Sequence, residues 1–170
     1  MSYYKIRIPL TPKAKASVRM QKNKWYNPSA KGMQASANEI FAQLPPGFKP
    51  LEGPLLMIVH FRMPVQKFAS LKRKKFLHNT PHIVRPDGDN LEKWLNDCMT
   101  GHVFKDDSQI TWMLRSKSYT NAPEGETLVY LYELENEKPI DYLGLYNKIC
   151  RSLRTDGFPF EEPTGVESWQ

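Results

Sequence analysis

From Arg85 to Asp107 the chain reads RPDGDNLEKWLNDCMTGHVFKDD, five aspartates and one glutamate, whereas Glu39 and Glu52 are the only acidic residues before them. Carboxylates gathered this closely repel one another and raise each other's pKa unless a cation neutralises them. Lys93 alone does not supply enough positive charge. An all-oxygen donor set suits a hard cation, Mg²⁺ or Mn²⁺, which keeps part of its water shell and binds through a few carboxylates plus a substrate phosphate. Such an ion activates water and stabilises the charge that develops on a scissile phosphate, with one metal or with two about 4 Å apart. A lysine at position 93 can orient the water or stabilise the pentavalent transition state.

These side chains need an element to carry them. Leu91, Trp94, Leu95 and Cys98 recur at i, i+3, i+4 and i+7, so residues 89–99 are expected to form a helix with one apolar stripe. Asp89, Lys93 and Asp97 then share one edge, with Asn90 beside them and Asp87 just before the helix. A turn at Gly101 is expected to bring Asp106 and Asp107 to the mouth of the next strand, within reach of Asp87 and Asp89. Each carboxylate alone also has a structural explanation. DNLE is a capping box, with Asp89 as the cap and Glu92 reaching back. Asp97 is an i+4 ion-pair partner for Lys93, and KDD is a polar turn. Capping does not account for the whole set on one face and in the following turn.

Other chemistries fit poorly. An EF-hand begun at Asp87 would put Glu92 at the glycine position and Cys98 where a bidentate glutamate belongs. Cys98 and Cys150 have no C-x-x-C partner, and His60, His78, His82 and His102 lack zinc-ligand spacing. Neither a phosphate-binding glycine loop nor a G-x-S-x-G elbow occurs.

Charge points to the substrate. Residues 1–86 hold 16 Lys and Arg against 2 Asp and Glu, and residues 87–170 hold 8 against 16, so the halves carry about +14 and −8 within a net +6. A one-sided basic surface is the footprint of a polyanion binder, because neutralised phosphates release counterions. Lys13, Lys15, Arg19, Lys22 and Lys24 lie in one basic, aromatic stretch. Lys72, Arg73, Lys74, Lys75 and Arg85 lie in another, interleaved with Phe68, Phe76, His78 and His82. Basic residues among aromatics suit phosphates and unstacked bases, and equally a solvated charge run. A basic surface beside an acidic cluster describes a nuclease. The alternatives from these residues are a nuclease for other branched or flapped DNA and a non-catalytic DNA-binding protein.

At 170 residues and 40% hydrophobic, one domain with a core is expected, with trimmings. No charged-then-apolar leader opens the chain, the longest uncharged apolar run, PLLMIVHF, is too short to span a bilayer, and two cysteines make no disulfide framework. A soluble cytoplasmic protein is expected. YYKIRIPL alternates as a strand, residues 33–44 have helical spacing, and GPLLMIVHFRMP, apolar on both parities, reads as a central strand covered on both faces. Residues 64–86 read as a loop or short helix. SQITWMLRSKSY and ETLVYLYELE, joined by TNAPEG, read as an antiparallel hairpin. Tyr142, Leu143, Leu145, Tyr146, Ile149 and Leu153 suggest a packed helix, and the last sixteen residues look irregular.

PDGDNLEKWLNDCMTGHVFKDDSQI resembles the signature of the RusA family of Holliday-junction resolvases, D-x-D-N-L-x-K, an aspartate four residues on, then D-D-x-Q-[IV]. On that resemblance, Asp87, Asp89 and Asp107 match three metal-binding carboxylates and Lys93 a catalytic lysine, with Asn90, Asp97, Asp106 and Gln109 at supporting motif positions. It implies a homodimeric, Mg²⁺-dependent endonuclease that nicks two symmetric strands of a four-way junction in recombination and repair. Such enzymes are often phage- or prophage-encoded, which implies the bacterial host's cytoplasm or nucleoid. The implied fold is α+β, a small mixed sheet of about four strands with two helices packed on it. The similarity covers about residues 4–134, taken as the endonuclease domain, with residues 135–170 as a C-terminal, partly helical extension that has no family counterpart. The basic segment before Asp87 is long for the family.

Overall fold

The computed structural model describes residues 3–16, 19–21, 24–135 and 139–155. The chain divides into two compact units, residues 1–136 and 137–170. In the first, the described elements are β1 (Tyr3–Ile8), β2 (Arg19–Gln21), β3 (Lys24–Tyr26), α1 (Ala30–Phe41), β4 (Leu55–Pro64), α2 (Leu71–Leu77), α3 (Gly88–Met99), β5 (Ile110–Thr120) and β6 (Glu126–Glu133). A 3₁₀ turn, Asp107–Gln109, leads into β5. The class is α+β, with a four-stranded mixed sheet ordered β1-β6-β4-β5.

The strand β4 lies inside the sheet, parallel to β5 and antiparallel to β6. Its residues Leu55, Met57, Val59, Phe61 and Met63 join the main core, and the alternate Leu56 and Ile58 are buried too. This is the burial expected of a strand apolar on both parities. Against the core face lie α1 and α3, whose Ile40, Leu91, Trp94, Leu95, Cys98 and Met99 belong to the same cluster. The two helices approach closely at Gly32, where a Cβ would stand 2.7 Å from the Trp94 ring, so only glycine fits without displacing the indole.

The expected β5–β6 hairpin does not form. β6 inserts between β1 and β4, pairing Ile6 with Val129 on one side and Val59 with Val129 on the other. The apolar β4 therefore separates the two strands. Residues 121–125 cross over it, with Gly125 in the left-handed region at φ 70°. A β6 flanked on both sides buries Val129, Tyr130 and Leu131 completely or nearly so, which a two-stranded hairpin could not do.

Smaller differences follow the same logic. The first helix starts at Ala30 and ends at Phe41, not at Met33 and Leu44, and the basic stretch before it contains the short β2–β3 pair. In the second unit, α4 spans Tyr142–Thr155, and Asp141 caps it by accepting the Gly144 amide at 2.9 Å. Of the residues expected to pack this helix, Ile149 is buried, but Tyr142 and Leu143 are exposed. Of the expected irregular tail, residues 155–170, Thr155 ends α4 and the rest lie outside the described residues. Among the described residues, no helix is long and apolar enough to cross a membrane.

Candidate active site

Helix α3 is held down by the stripe Leu91, Trp94, Leu95 and Cys98, as its spacing predicts, and this leaves its charged edge exposed. The N-cap is Asp87, not Asp89. Its backbone is extended (φ −70°, ψ 148°), but its carboxylate makes no capping hydrogen bond. The carboxylate is exposed and uncommitted to the helix. The 89–92 capping box is therefore absent. Asp89 sits in the first turn, where Lys93 Nζ donates to it at 3.2 Å, and this hydrogen bond holds the Asp89 carboxyl below the usual range. Both side chains remain more than half exposed.

The other motif residues are structural partners. Glu92 does not reach back to a cap; it pairs with Arg115 of β5 at 2.6 Å. Asp97 pairs with Lys15 at 2.7 Å rather than with Lys93, and the Asn90 carbonyl accepts the Lys15 amide at 3.1 Å. The basic N-terminal segment is thus pinned across α3, with Lys13 Nζ 6.0 Å from the Trp94 ring centre. A capping box does occur, one turn later in the motif. Asp106 accepts the Ser108 amide at 2.9 Å while Gln109 Oε1 accepts the Asp106 amide at 2.9 Å. The hydrogen bonds from Ser108 hold the Asp106 carboxyl below its usual range. Gln109 Nε2 donates to the Leu51 and Gly53 carbonyls, fastening the turn to the chain leading into β4. Asp107 heads this turn and is exposed.

The carboxylates do not converge within one chain. Among the described residues, no group of three or more His, Cys, Asp or Glu is arranged to hold a metal ion. Asp87 and Asp89 lie at the start of α3, where Gly88 abuts the Arg115 side chain, whereas Asp107 precedes β5 at the helix's far end. The 12 residues of α3 span about 18 Å. The donor chemistry, exposed carboxylate oxygens, fits a hard divalent cation, but one chain alone does not assemble the trio.

Sequence reasoning missed Arg115 and Lys117. Strand alternation carries the signal, because both share the parity of Met113, on the face that bears the helices, where apolar residues are expected. Arg115 ties Glu92, and Lys117 Nζ donates to the Val84 and Pro86 carbonyls at 2.8 Å each, just before Asp87.

Of the basic residues, Lys24, Lys72, Arg73, Lys75 and Arg85 are exposed, and Lys74 donates to the Lys67 carbonyl. Arg19 lies in β2, and Lys22 falls outside the described residues. Helix α2 buries no residue, and around it Phe68, Leu71, Phe76, Ile83 and Val84 are all exposed. Two buried groups are held toward their neutral forms. Burial pushes the Cys98 thiol up to about 12. His60, buried between Ser116 and Ser118, has its pKa pushed down to about 4, mainly by desolvation, and is neutral.

Residues 8–129 match the family described as endodeoxyribonuclease RusA. The chain belongs to that family. Among curated proteins it is similar to the uncharacterized protein YqaN of Bacillus subtilis (strain 168), at 31% identity over 83 residues. That match covers 46% of this chain and 58% of YqaN, so the chain spans less than two thirds of that relative.

Proposed function

We propose that the protein is a Mg²⁺-dependent endonuclease that resolves four-way DNA junctions by paired, symmetric nicks, working as a homodimer in the cytoplasm. The observation that carries this reading is the Asp87 carboxylate, which occupies a helix N-cap without capping it, beside an Asp89 that is bonded only through Lys93 and the local backbone. A cap carboxylate that accepts nothing from its helix is free for a ligand. The family match supports DNA as substrate.

The separation of Asp107 from Asp87 supports the dimer. Two copies related by a twofold axis, with their α3 helices antiparallel, would set the helix start of one chain against the acidic turn of the other. Two composite sites result, matching the twofold symmetry of an open junction. The chemistry a divalent ion supplies there is activation of water and stabilisation of charge on the scissile phosphate. Asp87 and Asp89 from one copy and Asp107 from the other would hold it. Lys93 would exchange Asp89 for the phosphate as the backbone arrives. The basic side chains around α2 and Arg85 hold the backbone, and the exposed Phe68 and Phe76 meet unstacked bases near the branch point.

The test is nicking of end-labelled synthetic four-way junctions with and without Mg²⁺, by the wild type, Asp87→Asn and Asp107→Asn. Paired symmetric nicks that vanish in both variants are expected; unchanged cleavage by either would sink the assignment. A mixture of the two variants should regain one composite site per dimer and nick one strand. Equal activity on forks, flaps and linear duplex would remove junction selectivity.

A further inference from the structure

The carboxylate-bearing start of α3 is not held by the helix's own cap, so something else must set its direction. The approach to it lies along the exposed edge of β5. Asn79 donates its amide to the Tyr119 carbonyl at 3.0 Å, Tyr119 returns its amide to the Thr80 carbonyl at 2.9 Å, and the His82 amide reaches the Lys117 carbonyl at 3.0 Å. Pro81 bridges Ser118 in the same antiparallel run. After His82 the backbone pairing ends, although four residues remain before Asp87.

Lys117 continues the attachment with its side chain. Its Nζ donates at 2.8 Å to both the Val84 and the Pro86 carbonyls, and the second of these belongs to the peptide unit that leads into Asp87. Among the described residues, no carboxylate pairs with Lys117. An ammonium brings three donors, so it can satisfy two carbonyls with charge-assisted bonds while placing positive charge beside the chain that leads into Asp87.

We infer that Lys117 is a positioning residue that clamps the 84–86 turn and so presents Asp87 and Asp89 in a fixed arrangement for a divalent cation. The inference rests on the function proposed above. Groups that orient ligands from behind typically alter metal affinity by about 10- to 100-fold when removed, without touching the metal.

Three readouts on Lys117→Met, Lys117→Arg and Lys117→Gln decide it. In metal-free protein, amide hydrogen exchange at residues 87–91 is expected to quicken by roughly tenfold in Lys117→Met, with the core strands unchanged. The Mg²⁺ concentration for half-maximal junction nicking is expected to rise by about tenfold or more. Junction affinity in EDTA is expected to stay within about twofold, because the clamp faces the protein's own carbonyls. Lys117→Arg should recover most of the Mg²⁺ response, since it keeps charged donors. Lys117→Gln keeps a single neutral donor group and should fall between, and it carries the test if the methionine variant does not fold.

Wild-type exchange and Mg²⁺ response in both Lys117→Met and Lys117→Gln would overturn the clamp. A loss of EDTA affinity equal to the loss of nicking would also overturn it, by making Lys117 a DNA-binding side chain. If the wild type fails to nick any branched DNA with Mg²⁺ or Mn²⁺, the proposed function fails instead. The exchange measurement still supports or overturns the clamp in that case.

Discussion

Helices α2 and α3 both mix apolar and charged side chains, and the fold treats them in opposite ways. In α3 the apolar positions form one stripe, and Leu91, Trp94, Leu95, Cys98 and Met99 are all buried. In α2 nothing is buried; Leu71 and Phe76 are 79% and 69% exposed, and Phe68 just before it is 87% exposed. The seven-residue α2 is held from outside its own packing, by Ser70 capping the Arg73 amide and by the backbone bonds of 79–82 to β5. Packing therefore explains the apolar residues of α3 but not those of α2. Large exposed apolar side chains grouped with basic ones suit a partner surface, and residues 53–86, without an acidic side chain, are consistent with the DNA backbone proposed as their partner.

The contrast predicts which changes harm chemistry, which harm folding and which harm binding. The largest effect should come from the uncapped start of α3. Asp87→Asn should lower the nicking rate by on the order of a thousandfold, the size of a lost metal-ion contribution of several kcal/mol, with junction affinity in EDTA maintained. Next, Leu91→Ala should cost about 2–5 kcal/mol of stability in urea unfolding, whereas Leu71→Ala should change it by no more than about 0.5 kcal/mol. A comparable loss from Leu71→Ala would erase the distinction between the helices.

The packed sheet should also respond to acid through His60. Its folded pKa lies near 4, below the ordinary value of 6.5, so the unfolded chain takes up the proton first. Its contribution is complete above about pH 6.5 and is lost as pH falls toward 4, a decline of about 3 kcal/mol that His60→Gln should flatten. The smallest effects belong to α2 and the residue Phe68 before it. Phe68→Ala and Phe76→Ala should each weaken junction binding by about 1–3 kcal/mol, with melting temperature unchanged. Neutralising Lys72, Arg73 and Lys75 together should reduce the slope of log affinity against log salt by about 0.9 for each phosphate they no longer neutralise, on junction and duplex alike. A weakening confined to junctions would mean that the charges read the branch.

Much of this could be read locally. The α3 stripe, the central β4, the strand at Ile6 and Ile8 and the D-x-D-N…D-D motif all express periodicity or spacing within about a dozen residues, the range over which helix and strand geometry act. The partners of the charged groups could not be read that way. Glu92 and Asp97 both have plausible partners one helical turn away, yet they bond Arg115 and Lys15, 23 and 82 residues distant. A surface i,i+4 pair stabilises a helix by only a few tenths of a kcal/mol, so tertiary placement easily overrides it.

The sequence by itself determined the family motif, the helix that carries Asp87, Asp89 and Lys93, and which face of that helix is buried, because spacing and period dictate those before any long-range contact forms. Only the tertiary structure decided that β6 lies between β1 and β4, that Asp87 rather than Asp89 is the cap, that Lys117 anchors the approach to it, and that Asp107 stands at the opposite end of α3. Those outcomes depend on which surfaces exclude water together, and that is settled by the packing of the whole sheet rather than by any one segment.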